Sequence, residues 1–210
     1  MADRLSTADR ILALGTTDSG VADATALLDR ASAGAATELF REFWKYTPSA
    51  DFVDGLQDAP VSRPDISGLD QSGVSVRTLA EWQASGTPLS TVQDGQSTQR
   101  FPLADLALML TGDLIVIEVE TSPAEPISIH YGEGLSTPVL VRIAAGVKAS
   151  LIEQARTEGF LNHSLYVHLG ADAVLEHAFA ADATRHSHWA MTQVQQATRC
   201  LLYTSPSPRD

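Results

Sequence analysis

Leu114-Ile-Val-Ile-Glu-Val119, Val139-Leu-Val-Arg-Ile143 and Leu165-Tyr-Val-His-Leu169 decide the fold. In the first stretch Ile115, Ile117 and Val119 alternate with Glu118 and Glu120. In the second Val139, Val141 and Ile143 alternate with Leu140 and Arg142; in the third Leu165, Val167 and Leu169 alternate with Tyr166 and His168. Ile127 and Ile129 set the same rhythm against Ser128 and His130. A period of two is the pattern of strands that bury one face.

The strands also repeat. Ile117-Glu-Val119 and Ile127 reappear as Val141-Arg-Ile143 and Leu151, a shift of 24 residues. Val167 follows Val141 by 26 residues, and Leu175 follows Leu151 by 24. Short turns lie between: Thr121–Pro126, Ala144–Lys148 and Gly170–Asp172. Short strands and tight turns at a period in the mid-twenties predict a solenoid of about three coils. The rival reading is an antiparallel sandwich or a cupin-like barrel, which also has regular short strands.

Upstream of Leu114 the periodicity is helical. Ile11, Leu12 and Leu14 follow a capping region at Ser6–Asp9, and Val21, Ala24, Leu27 and Leu28 recur at helical spacing. Leu39, Phe40, Phe43 and Trp44 form one stripe that Pro48 stops. Residues 59–73 contain breakers and no period and read as loop; Val74–Leu79 reads as a short strand running into a helical turn through Trp82. Gln83–Arg100 reads as an exposed connection, and Leu103–Leu110 as a further helix ending at Gly112. The expected class is α+β: a mostly helical region over 1–100, then the first coils of a parallel β-helix over 101–199.

The C-terminal Cys200-Leu-Leu-Tyr-Thr-Ser-Pro-Ser-Pro-Arg-Asp210 breaks the texture and matches the translation of a transposon sequencing adapter in all eleven codons. Residues 200–210 are therefore expected to be a non-native tail that packs against nothing, with the native part ending near Arg199. Cys200 is the only cysteine, so the remainder has no thiol for a disulfide, a persulfide or an iron–sulfur ligand.

Of the 210 residues 44% are apolar and 19% charged, the balance of a soluble globular protein. Net charge is −12, with 14 acids against 8 bases in residues 1–100 and 12 against 6 afterwards. A chain acidic in both halves lacks the basic footprint that nucleic acid requires. The longest apolar runs, Leu106–Leu110 and Leu114–Ile117, are too short to span a bilayer, and the N-terminus has no secretory core, so the expected location is the cytoplasm.

Phe43–Thr47, Leu110–Val119, Glu125–Ile129, Val139–Glu153, Phe160–Asn162 and Leu169–His177, in that order, resemble the SufD family of the SUF iron–sulfur cluster assembly system. Phe43-Trp-Lys-Tyr-Thr47 resembles the element near the start of SufD proteins. Leu110–Val119 with Glu125–Ile129 is similar to the start of the SufB/SufD core, and Val139–Glu153, Phe160–Asn162 and Leu169–His177 continue it. The resemblance covers about Leu39 to Val194. It implies a right-handed parallel β-helix and a scaffold subunit without catalysis of its own, binding no cofactor in this chain. Its partners would be SufB and the ATPase SufC, the complex as a whole handling the iron–sulfur cluster. Family members continue through further coils and a helical region that docks SufC, so no functional site is carried across. SufD is preferred to the homologous SufB for the Trp44–Thr47 context and the cysteine-free core.

The residues themselves offer other chemistry. His186-Ser-His188 on a strand would point both rings to one face, and with His163 or Glu176 would give a three-ligand metal site of the cupin type. The plainer reading is a polar face or a loop with scattered histidines, Thr184–His188 resembling a turn. Glu153 and Glu176 recur at similar places in successive coils, as paired carboxylates do in β-helix carbohydrate-active enzymes, where Tyr166 and Phe179 would be the available platforms. The alternative for both acids is a solvated outer face. His177 is expected to be a hydrogen-bonded residue at the core edge. Tyr131-Gly-Glu-Gly134 lacks the glycines and lysine of a phosphate loop.

Overall fold

A computed structural model describes residues 59–85, 111, 113–156, 159–182 and 188–205. Among these residues the chain is mostly β, with one short helix, α1 (Leu79–Ala84). This corrects the α+β expectation for the described part of the chain: among the described residues no N-terminal helical region is seen. The helical stripes read in residues 1–58 and at Leu103–Leu110 lie outside the described residues.

Four alternating passes build the solenoid. β4 (Ile115–Val119) leads to β5 (Ile127–Tyr131). β6 (Gly134–Ser136) and β7 (Val139–Ile143) form the next pass with β8 (Lys148–Arg156), followed by β9 (Leu161–Leu169) with β10 (Val174–Asp182). β11 (His188–Gln196) and β12 (Leu201–Ser205) make the last. One sheet holds β4, β6, β7, β9 and β11; the other holds β5, β8, β10 and β12. All pairings between these strands are parallel. Ile117, Val141 and Val167 lie beside one another on β4, β7 and β9, which removes the antiparallel sandwich and cupin alternatives.

The coil lengthens along the chain. Ile117 pairs Val141, Val141 pairs Val167, and Val167 pairs Val194, steps of 24, 26 and 27 residues. In the other sheet Leu151 sits beside His177, and Leu175 beside Ala149. The expected Leu151–Leu175 match is therefore displaced by two residues. Between β6 and β7, Thr137-Pro138 absorbs one extra residue against β9, since Leu135 pairs Asn162 but Val139 pairs Leu165. Proline has no N–H to give a ladder and belongs at such an interruption.

The tight turns stack as well. Gly146 N–H donates to Ala171 O at 2.9 Å, and Asp172 N–H to Thr198 O at 3.0 Å. Gly146, Asp172 and Arg199 occupy the same place in successive turns, and all have left-handed backbones, with φ of 73°, 60° and 59°. Only the first is the residue type that reaches this region without strain. Gly170 is required by crowding: a Cβ there would lie 2.6 Å from Ala145 N.

Residues 59–73, expected as loop, contain β1 (Val61–Ser62) and β2 (Asp65–Ser67), too short to show a period. β1 pairs β6 in parallel, whereas β2 and β3 (Val74–Arg77) pair β5 and β4 antiparallel and cap the first coil. The strand-then-turn reading of Val74–Trp82 holds. Thr78 and Glu81 form a capping box: Thr78 N–H donates to Glu81 Oε2 at 2.7 Å and Glu81 N–H to Thr78 Oγ1 at 3.3 Å. That bond to the Thr78 backbone holds the Glu81 carboxyl below its ordinary pKa. The helix lays Leu79 and Trp82 on the outer face of the first sheet, over Val116, Leu140 and Tyr166.

The C-terminal tail was expected to be unpacked, and here too the structure differs. Leu201–Ser205 runs parallel to β10, Leu202 is packed against the core, and Cys200 Sγ–H donates to Gly170 O at 2.9 Å. Leu-Leu-Tyr-Thr is a β-prone string, and it meets the unpaired edge of β10. Among the described residues, no helix is long and apolar enough to cross a membrane.

Candidate functional site

Glu153 lies inside the solenoid and is fully buried. Strand parity places it there: on β8, Ala149, Leu151, Glu153 and Ala155 are the buried positions. A carboxylate is tolerated in such a place only if donors surround it. Tyr131, at the end of β5, donates its hydroxyl to Glu153 Oε2 at 2.7 Å. His177, on β10, lies 2.6 Å from Glu153 Oε1 through Nε2 and fills the donor role that the carboxylate needs. Both partners sit diagonally across the sheet from Glu153, Tyr131 beside Ala155 and His177 beside Leu151. Burial, reinforced by the adjacent carboxylate, raises the Tyr131 pKa well above its ordinary value, so the hydroxyl keeps its proton and remains a donor.

The opposite sheet adds two histidines. His163 is 1% exposed, with Nε2 3.9 Å from Glu153 Oε2. Its Nδ1 lies 3.2 Å from His188 Nε2 on β11. Its ring stacks on Tyr131 at 4.0 Å and on His188 at 5.1 Å, with Phe179 tilted against it at 5.6 Å. Burial lowers the His163 pKa to about 4; Glu153 opposes that shift and His188 adds to it. Burial also lowers that of the half-buried His188, again against Glu153. At neutral pH both rings are neutral, and one N–H donates to the other's lone pair. The arrangement is a buried hydrogen-bonded relay, Tyr131–Glu153–His177, beside the His163–His188 pair.

Of the three metal candidates, His163 and His188 are brought together, while His186 lies outside the described residues. Among the described residues no three His, Cys, Asp or Glu side chains converge as a metal would require. Glu153 and Glu176 are not a pair. Glu153 points inward and aligns with Phe179, whereas Glu176 is exposed, aligns with Ser150 and accepts from its hydroxyl at 3.1 Å. The solvated reading holds for Glu176 and fails for Glu153. His177 is the hydrogen-bonded core-edge residue expected of it. Tyr166 is buried beneath α1 and Phe179 packs inward against the histidines, so neither is a sugar platform.

Tyr131 was not legible as a site residue, although it continues the inward series Ile127, Ile129. On the outer face, Glu118 bridges Arg77 at 3.0 Å and Arg142 at 3.1 Å, and the Arg142 guanidinium lies 4.8 Å from the Trp82 ring centroid. This row continues through His168 to Gln195 and borders a groove of about 440 Å³. Comparison with protein-family models, curated proteins and solved structures yields no match.

Proposed function

We propose that this chain is a SufD-like scaffold subunit that works with SufB and SufC in the cytoplasmic assembly of iron–sulfur clusters, without a reaction of its own. The observation that carries the reading is the parallel stacking of Ile117, Val141 and Val167. In the segments that resemble the family, Leu110–Val119, Val139–Glu153 and Leu169–His177, the described strands β4, β7, β8 and β10 belong to successive coils of one solenoid, as the resemblance implies. Solenoids offer long, rigid surfaces and suit assembly roles. The interior relay then serves to fix the coil register, a use for which buried polar networks are suited.

Co-expression tests this reading. Expressed from its genomic reading frame with tagged SufC and untagged SufB, the protein is expected to co-purify in a stoichiometric complex. Recovery of SufB and SufC without it, from a soluble lysate containing all three, would overturn the assignment.

A further inference from the structure

Two imidazoles that face each other through ring nitrogens make a hydrogen bond only if one nitrogen carries a proton and the other a lone pair. His163 Nδ1 and His188 Nε2 meet in this way at 3.2 Å. His163 has no room to turn aside, because Tyr131 covers one face and Phe179 lies tilted against it. His188 opens β11, whose one strand partner among the described residues is β9. The imidazole contact therefore sits where the fourth coil meets the third.

We propose that the His163–His188 pair is an acid-sensitive joint, which fastens β11 to β9 while the pair carries at most one added proton and releases it when both rings are protonated. The groups around His163 set the balance. Glu153, from β8, favours its cation; His188, from β11, disfavours it; Tyr131, from β5, and Phe179, from β10, are uncharged. His177, also from β10, is engaged with Glu153. The half-buried His188 takes the first proton and donates it to His163, which strengthens the bond. The second proton sets two cations and two N–H donors against each other in a buried space, and the contact is lost. Burial of His163 delays that step to about pH 4.

Amide hydrogen exchange on the full chain between pH 7 and 3.5, expressed as protection factors, tests the joint. Protection of β11 is expected to fall, relative to that of β7, by up to about tenfold per pH unit at the acid end. His163→Phe keeps the stacking and removes the titration, so its β11 protection should follow that of β7 across this window. His188→Gln preserves a donor to His163 and should flatten the profile likewise, which covers a failure of the first variant to fold. Loss of protection in β11 no steeper than that in β7, or identical profiles for wild type and either variant, would overturn the proposal.

Discussion

At the tight-turn end of the interior, Val119, Ile143 and Leu169 lie side by side and pack with Val147, Ala149 and Ala173 in one aliphatic cluster. At the far-corner end, the same two sheets carry Tyr131, Glu153, His163 and His188. Element length accounts for the difference. β4 and β5 have five residues each, whereas β8, β9, β10 and β11 have nine. The extra residues extend the later coils at the far corner. There the space is filled by rings and by one carboxylate whose oxygens are both hydrogen-bonded. The aliphatic end needs only shape and apolar area; the polar end needs each donor matched to an acceptor.

The largest effect expected at the polar end comes from removing its hub. Glu153→Ala leaves Tyr131 and His177 buried without their acceptor and should cost about 3–5 kcal/mol by chemical denaturation. Ile117→Ala at the aliphatic end should cost about 2–5 kcal/mol through its cavity. Replacing the whole network together, Tyr131→Phe with Glu153→Leu and His177→Leu, should recover most of the Glu153→Ala loss. If the triple variant is no more stable than Glu153→Ala, the polar end is not a self-contained network.

Acid separates the two ends further. The His163 pKa is depressed in the folded state to about 4 from an ordinary 6.5. Between these values the unfolded chain binds the proton and the folded chain does not. Its contribution to stability is therefore complete above about pH 6.5 and declines as pH falls toward 4, by up to about 3 kcal/mol. His163→Phe should reduce this slope, whereas Val167→Ala at the aliphatic end should lower stability equally at all pH values. Equal slopes in the wild type and His163→Phe would place the buried proton elsewhere.

Smaller effects grade the same contrast. Tyr131→Phe removes one donor and keeps the stacking on His163, and should cost about 1–3 kcal/mol. Outside the solenoid, Arg77→Gln breaks a half-exposed ion pair with Glu118, which retains Arg142; the expected loss is below about 1 kcal/mol.

The aliphatic end was largely legible in the sequence because its period of two survives in every strand. Ile117, Val141 and Val167 could be aligned from spacing alone. The polar end was not. Glutamate is almost never buried without partners, so Glu153 read as a solvent residue. Its partners lie 22 and 24 positions away, at Tyr131 and His177, and they find it only through the coil register. That register grows from 24 to 26 residues in the step where Glu153 meets His177, so a fixed 24-residue repeat matched Leu151 to Leu175. Strands β1 and β2, two and three residues long, carry no detectable rhythm. The pairing of Leu201–Ser205 was hidden because a change in composition says nothing about whether an edge strand is free to receive it.

Register is thus the claim on which the relay and the joint depend, and disulfide trapping measures it directly. With Cys200→Ser as background, Ser150→Cys/Glu176→Cys joins two outward positions that are in register on β8 and β10. Their Cα atoms should lie about 5 Å apart, within disulfide reach. Ser150→Cys/Val174→Cys represents the 24-residue register and would place the pair about 8 Å apart, beyond it. Mild oxidation followed by peptide mass mapping should give near-complete crosslinking of 150 to 176 and little of 150 to 174. Efficient crosslinking of 150 to 174 with none of 150 to 176 would contradict the stacking, and with it the contact between Glu153 and His177.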